Sequence, residues 1–257
     1  MDPYAWTWNE ETLVLVPALA VAYGIWVARL GAERWRIACF AVALLLILVF
    51  GVTPLHQISL HYLLWIHLLQ NVVLAEWAPA LLVLAVPRRI AARAAGFPLF
   101  HPFVALPVWL GTYFVWHFPW IYDHALERPH SLLHLEHLTY LLAGICLWWP
   151  VVHGAYSAGL KALYLFAAFV LASPLGLLLA LIPRAVYSFY ANAPRTWGPA
   201  PLADQQIAGV TMAVEEAVVF FTVFTVFLLR FLQEEQVHGA FDGVADGRTP
   251  PWSRADS

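Results

Sequence analysis

Long apolar runs dominate this chain, and seven of them are read as membrane-crossing helices. A helix needs about 20 apolar residues to cross a bilayer. Only helices and closed barrels satisfy their backbone in lipid. The runs fall near residues 13–30, 37–52, 60–86, 103–116, 132–152, 160–182 and 205–231. The third is long enough to tilt or to begin outside the hydrocarbon, and the fourth is short. Composition agrees: 62% of the residues are hydrophobic, 11% are charged and 13 are tryptophan, a balance foreign to soluble domains of this size. The expected fold is all-α, a polytopic bundle of seven transmembrane helices over residues 1–236. A tail over 237–257, rich in Gly, Pro and Asp, is expected to be disordered.

Orientation follows from the basic residues. With the N-terminus outside, Arg29, Arg34, Arg36, Arg88, Arg89, Arg93, Lys161, Arg230, Arg248 and Arg254 fall on the inner side. Arg128, Arg184 and Arg195 fall outside, a split of ten to three over all 13 Lys and Arg. This predicts N-out, C-in. The acidic start "MDPYAWTWNEETL" lacks the basic segment of a cleaved signal peptide, so the first run reads as a retained span. The net charge of -3 suggests no nucleic-acid partner. Cys39 and Cys146 give no disulfide framework, and no lipidation motif or nucleotide-binding Gly-rich loop is present.

On this topology eight of the eleven histidines lie on the outer side. His56 and His61 start the third helix and His67 lies about two turns in. His117 ends the fourth, His124 and His130 lie in the outer connection, and His134 and His137 open the fifth. In "ERPHSLLHLEH", His130, His134 and His137 fall within about 60° of one another on a helix. Pro129 suits the first helical position. Glu136 lies off that stripe by roughly 100°, as a supporting partner and not a ligand. Asn71 sits one turn after His67, Glu76 points to the opposite face, and Pro79 removes a backbone bond to Ala75. In the seventh helix Gln205, Gly209, Met212 and Glu216 share a face.

Imidazole suits copper and zinc alike, and a thioether from Met212 favours Cu(I). Plainer readings stand beside these. An interfacial His is often only a polar residue at the membrane surface. Asp123, Asp204 and Gln205 suit helix caps. Glu76, Glu215 and Glu216 are functional candidates by their cost in lipid, or hydrogen-bonded partners between helices. Trp120 and Tyr122 read as aromatic belt.

Three blocks then carry a resemblance: "HLLQNVVLAEWAPALLVLAVP" from His67, "WHFPWIYDHALERPHSLLHLEHLTYLLAGICLWWPV" from Trp116 and "DQQIAGVTM" from Asp204. The chain resembles the multi-spanning CtaG family of cytochrome c oxidase assembly factors. The resemblance implies a bacterial plasma-membrane protein that matures a haem–copper oxidase, with copper handled on the outer face. Motif positions here are His67, Trp116, His117, Tyr122, Asp123, His134, Glu136, His137, Asp204, Gln205, Gln206 and Met212. The chain departs at Asn71, where the family typically has a second His, and at Glu215-Glu216, where it often has a Pro-Gly-like stretch.

The expected copper ligands are therefore His67, His117, His134, His137 and Met212. Asn71, Asp123, His130, Glu136, Asp204 and Gln205 support them, and His130 has a relay position nearer the surface. The expected partners are an oxidase subunit, other copper chaperones and the bilayer, and no catalytic residue is assigned. Three alternatives remain. One is a zinc-dependent membrane hydrolase using His130, His134 and Asp123 or Asp204, with Ser131 nearby. Another is a haem carrier ligated by residues such as His67 and His134. The third is a metal-free scaffold for oxidase subunit insertion.

Overall fold

The computed structural model describes residues 2–245 apart from 8, 95 and 196, with side chains described as far as 237. The described residues are helical or irregular, without a strand. Helix α1 (Glu10–Leu30) starts under an Asn9 cap, whose side chain accepts from Glu11 N. It pairs with α2 (Arg34–Val52). Thr53 then caps α3 (Pro54–His61), with Pro54 at the first position, where its missing N–H costs nothing.

The third apolar run is not one helix from residue 60. The chain breaks at Tyr62–Leu63, so His56 and His61 ride on the separate helix α3. Helix α4 (Leu64–Val72) then passes through a π-helical turn (Val73–Trp77) into α5 (Ala78–Ala85). Pro79 explains the irregularity: it cannot bond back to Ala75, and the freed carbonyl faces Gly144 of α9 (His134–Val152). A Cβ on Gly144 would lie 2.2 Å from that oxygen, so only glycine permits this approach.

The short α6 (Arg88–Ala94) leads to α7 (Pro102–Trp116). After a turn at His117–Phe118 comes α8 (Pro119–Glu127). A second π-helical turn, Pro129–Leu133, feeds α9, and α10 (Ala158–Leu181) follows. A single-turn helix α11 (Ser188–Ala191) precedes the long α12 (Pro201–Ala245). Helices α10 and α12 meet through glycines: a Cβ on Gly209 would stand 2.5 Å from the Gly176 carbonyl oxygen.

Among the described residues, six helical segments are long and apolar enough to cross a membrane: Glu10–Leu30, Arg34–Val52, Leu64–Ala85, Pro129–Val152, Ala158–Leu181 and Pro201–Val237. The expected seventh, Pro102–Trp116, has 15 residues, or about 22 Å of helix against about 30 Å of hydrocarbon. The core lies on two of these segments. Leu64–Ala85 and Pro129–Val152 are each 67% buried in their apolar window, whereas Glu10–Leu30 is 6% buried. Helix α12 continues through Ala245, nine residues into the stretch expected to be disordered, and the rest of that tail lies outside the described residues. At the end of α5, buried Arg36 donates to the carbonyls of Leu84 (2.6 Å) and Val86 (2.8 Å) and pairs with Glu33. It satisfies acceptors that the helix end leaves open.

Candidate metal centre and its fixed walls

Three histidines enter the core together with Tyr122. His67 of α4, His117 after α7 and His137 of α9 are all buried. The Tyr122 ring lies 5.4 Å from His67 and 6.1 Å from His117, and the His67 and His137 centroids are 6.3 Å apart. Tyr122 is 1% exposed and is no belt residue, because α8 folds back into the bundle. Trp120, 68% exposed, keeps that surface position.

Each of the three imidazoles has its Nδ1 against a fixed partner. His117 Nδ1 faces the Tyr113 carbonyl at 2.8 Å, with the Tyr140 hydroxyl at 3.2 Å. His137 Nδ1 faces Glu11 Oε2 at 2.9 Å. His67 Nδ1 faces the Tyr190 hydroxyl at 2.8 Å, and that hydroxyl donates its own proton to the Ser59 carbonyl. The Tyr113 carbonyl, the Glu11 carboxylate and the Tyr190 hydroxyl each accept, so the network places a ring proton on Nδ1, and in the neutral ring Nε2 carries the lone pair. All three Nε2 atoms are buried without a hydrogen-bond partner, as are Asn71 Oδ1 and the Tyr122 hydroxyl. Buried polar atoms of this kind are rare and call for an explanation. Metal-binding histidines have this form, with Nδ1–H held by an oxygen and Nε2 free for the ion.

The other expected ligands sit differently. His134 is at the margin of the stripe, its side chain 28% exposed, with Nε2 4.0 Å from Glu11 Oε2. It lines a half-open cavity of about 320 Å³ with His56, His61 and His130. Burial pushes His56 down to about 4, with His137 as the next cause, and Asn9 Nδ2 lies 3.3 Å from its Nε2. Met212 is buried in the seam of α10 and α12, its Cβ 3.3 Å from where a Cβ on Gly176 would be. Asn71 donates to Glu136 Oε1 at 2.9 Å, so both lie buried beside the histidines. Among the described residues, no three His, Cys, Asp or Glu side chains are already gathered around one metal position.

Asp204, Asp123 and Gln205 hold the walls. Asp204 accepts from Leu64 N (2.9 Å) and Trp65 N (3.1 Å), capping α4 from α12, and pairs with Arg195 at 3.1 Å. Asp123 accepts from Ser188 N (3.0 Å), Ser188 Oγ (2.5 Å) and Phe189 N (3.1 Å), capping α11 from α8. Gln205 accepts from Val186 N at 2.7 Å and donates to the Arg184 carbonyl at 3.1 Å. Asp204 and Asp123 therefore cap helices other than their own, whereas Gln205 ties down the stretch between α10 and α11. This also counts against the hydrolase, whose Asp123 or Asp204 is engaged with backbone N–H groups.

A second polar group lies elsewhere in the bundle. Glu76, Glu215 and Glu216 are buried and interact with one another. Trp77 Nε1 donates to Glu215, and the Tyr113 hydroxyl donates to Glu216 at 2.5 Å.

Sequence reasoning missed Glu11, Asn9 and Tyr190. Glu11 and Asn9 precede the first apolar run, where nothing in the local pattern marks a partner 126 residues away. Tyr190 sits in the single-turn helix α11, outside the apolar runs and too short to show periodicity.

Residues 21–234 match the family model described as cytochrome c oxidase caa3 assembly factor (Caa3_CtaG). No curated protein and no solved structure matches the chain. The family match spans most of the bundle, including the motif-bearing helices, and the chain belongs to the cytochrome c oxidase caa3 assembly factor family.

Proposed function

We propose that the chain carries copper for oxidase maturation, holding Cu(I) between buried imidazoles and passing it to an oxidase subunit. The observation that supports this reading is the set of three buried, unpartnered Nε2 atoms on His67, His117 and His137. Two imidazoles on opposite sides of one ion have centroids about 6.4 Å apart, taking about 2.0 Å per metal–nitrogen bond and about 1.2 Å from nitrogen to ring centre. His67 and His137 are spaced at 6.3 Å. Few ligands, all of them neutral imidazoles, suit Cu(I) and permit exchange with a receiving protein. His134, on the cavity side, serves uptake or handover.

The reading includes a bacterial plasma-membrane location and seven crossings, with α7 as the short seventh. N-out, C-in orientation rests on the ten-to-three split of basic residues. The role is non-catalytic, and oxidase subunits and copper chaperones are the partners.

Protein purified from copper-supplemented cells should retain about one copper per chain under this simple stoichiometry. His67→Ala/His137→Ala should lose it and leave the oxidase without copper. Unchanged copper content in that variant, or full oxidase maturation, refutes the proposal.

A further inference from the structure

Leu19, Ala22, Tyr23 and Trp26 of α1 follow the i, i+3, i+4, i+7 spacing of one helix face. That face lines a half-open apolar cavity of about 210 Å³. Phe40 of α2, Leu82 of α5 and Trp149 of α9 supply its other walls. The Tyr23 hydroxyl donates to the Ala85 carbonyl at 3.2 Å, and its ring stacks on Phe40 with centroids 3.9 Å apart. These contacts tie α1 to the end of α5, while Trp26 in the same wall stays 40% exposed. All four helices belong to apolar segments of membrane-crossing length. In a bilayer, a half-open apolar cavity between them takes up hydrocarbon in preference to water.

One end of this groove is basic. Val86, in its wall, gives its carbonyl to Arg36 at 2.8 Å, and Arg88 and Arg89 follow on α6, both exposed. Val83, also in the wall, accepts from His153 Nε2 at 2.8 Å. Burial pushes His153 down, the bond to Val83 opposes that, and the charges of Arg36, Lys161 and Arg88 push it down further, so these cations converge on one corner. The connecting segments here, residues 29–36, 86–101 and 153–157, carry six arginines and one carboxylate. That carboxylate, Glu33, is already paired with Arg36 at 3.0 Å.

We propose that this groove binds one anionic phospholipid, with an acyl chain lying against α1 and the phosphate held by Arg88 and Arg89. Volume decides against a helix of a partner protein: one helical turn, about 10 Å wide and 5.4 Å long, fills about 420 Å³, twice the cavity. Charge decides against a zwitterionic lipid, since clustered guanidinium groups favour a phosphate whose charge is not offset within the same headgroup. The site is separate from the buried histidines and stands whether or not they take copper.

The test uses the full-length protein in detergent micelles doped with dioleoyl-phosphatidylglycerol or dioleoyl-phosphatidylcholine, read by native mass spectrometry. The wild type should hold one phosphatidylglycerol with a roughly tenfold or greater preference over phosphatidylcholine. Arg88→Gln/Arg89→Gln should remove most of that preference. Arg128→Gln/Arg184→Gln takes the same charge from the other end of the bundle and should leave the preference unchanged. All four arginines are exposed, so their replacement leaves the packed core intact. Ala22→Phe fills the groove from an exposed position of α1 and should weaken phosphatidylglycerol binding severalfold. The proposal is overturned if the wild type takes both lipids equally, or if the preference survives loss of Arg88 and Arg89. It is equally overturned if loss of Arg128 and Arg184 removes the preference as well, or if Ala22→Phe leaves binding unchanged.

Discussion

Asp204 belongs to a family motif beside a histidine pocket, and its replacement separates a wall residue from a ligand. Asp204→Ala removes both acceptors for Leu64 N and Trp65 N and strands Arg195 beside an apolar methyl group. A lost N-cap costs about 0.5–2 kcal/mol. Removing one partner of a buried ion pair costs about 3–5 kcal/mol. The Asp204 side chain is fully buried and that of Arg195 is 19% exposed, so little solvent screening reduces the second figure. The two share the same carboxylate and do not add, so a total near 4 kcal/mol is expected. Asp204→Asn keeps an acceptor for the cap and should cost about half as much. Thermal unfolding in detergent should show Asp204→Ala lowered by roughly 10 °C and Asp204→Asn lowered by less. Copper per folded chain should be unchanged in both. An Asp204→Ala protein of wild-type stability that has lost its copper would refute the wall assignment.

Gly144→Ala places a methyl group against the Ala75 carbonyl and should destabilise by about 1–3 kcal/mol, measured by the same unfolding. Tyr122→Phe removes a buried hydroxyl without a partner and should leave the metal-free protein as stable or about 1 kcal/mol more stable. Lower stability would mean that the hydroxyl has a partner in solution. His56 is held neutral in the fold, with its ordinary value near 6.5 lowered to about 4. Between those values the unfolded chain binds the extra proton, so stability is full above pH 6.5 and falls as pH drops toward 4, by at most about 3 kcal/mol. His56→Gln should flatten that part of an unfolding-versus-pH curve, and an unchanged slope would contradict the assignment.

The apolar runs made the helical fold legible, because each must satisfy its own backbone in lipid. The break at Tyr62–Leu63 was not legible, because residues 60–66 contain no Gly, Pro, Asn or Asp to mark a turn. Pro79 did foretell a local disturbance, and the π-helical turn at Val73–Trp77 is the form it takes. Of the histidine stripe only His137 reaches the core, beside Glu136, while His130 is exposed, and the π-helical turn at Pro129–Leu133 breaks the spacing the stripe assumed. The stripe could not separate His137, buried, from His134 at its margin, since the angular difference of about 60° is smaller than the width of a buried face. Tyr122 followed the statistics of aromatic residues near helix ends, whereas α8 turns it inward. The roles of Asp123 and Asp204 rest on chain segments 65 and 140 residues away, beyond the reach of local periodicity.

Helix α12 holds Asp204 in its first turn and runs 45 residues to Ala245. At about 1.5 Å per residue it is roughly 67 Å long, over twice the hydrocarbon thickness. Treated as a rigid rod, it is a lever whose short arm ends at the α4 cap. A tilt of about 5° at that cap displaces the opposite tip by about 6 Å. On that geometry, a sub-ångström adjustment at the α4 cap would reach the far tip as a displacement the size of a side chain.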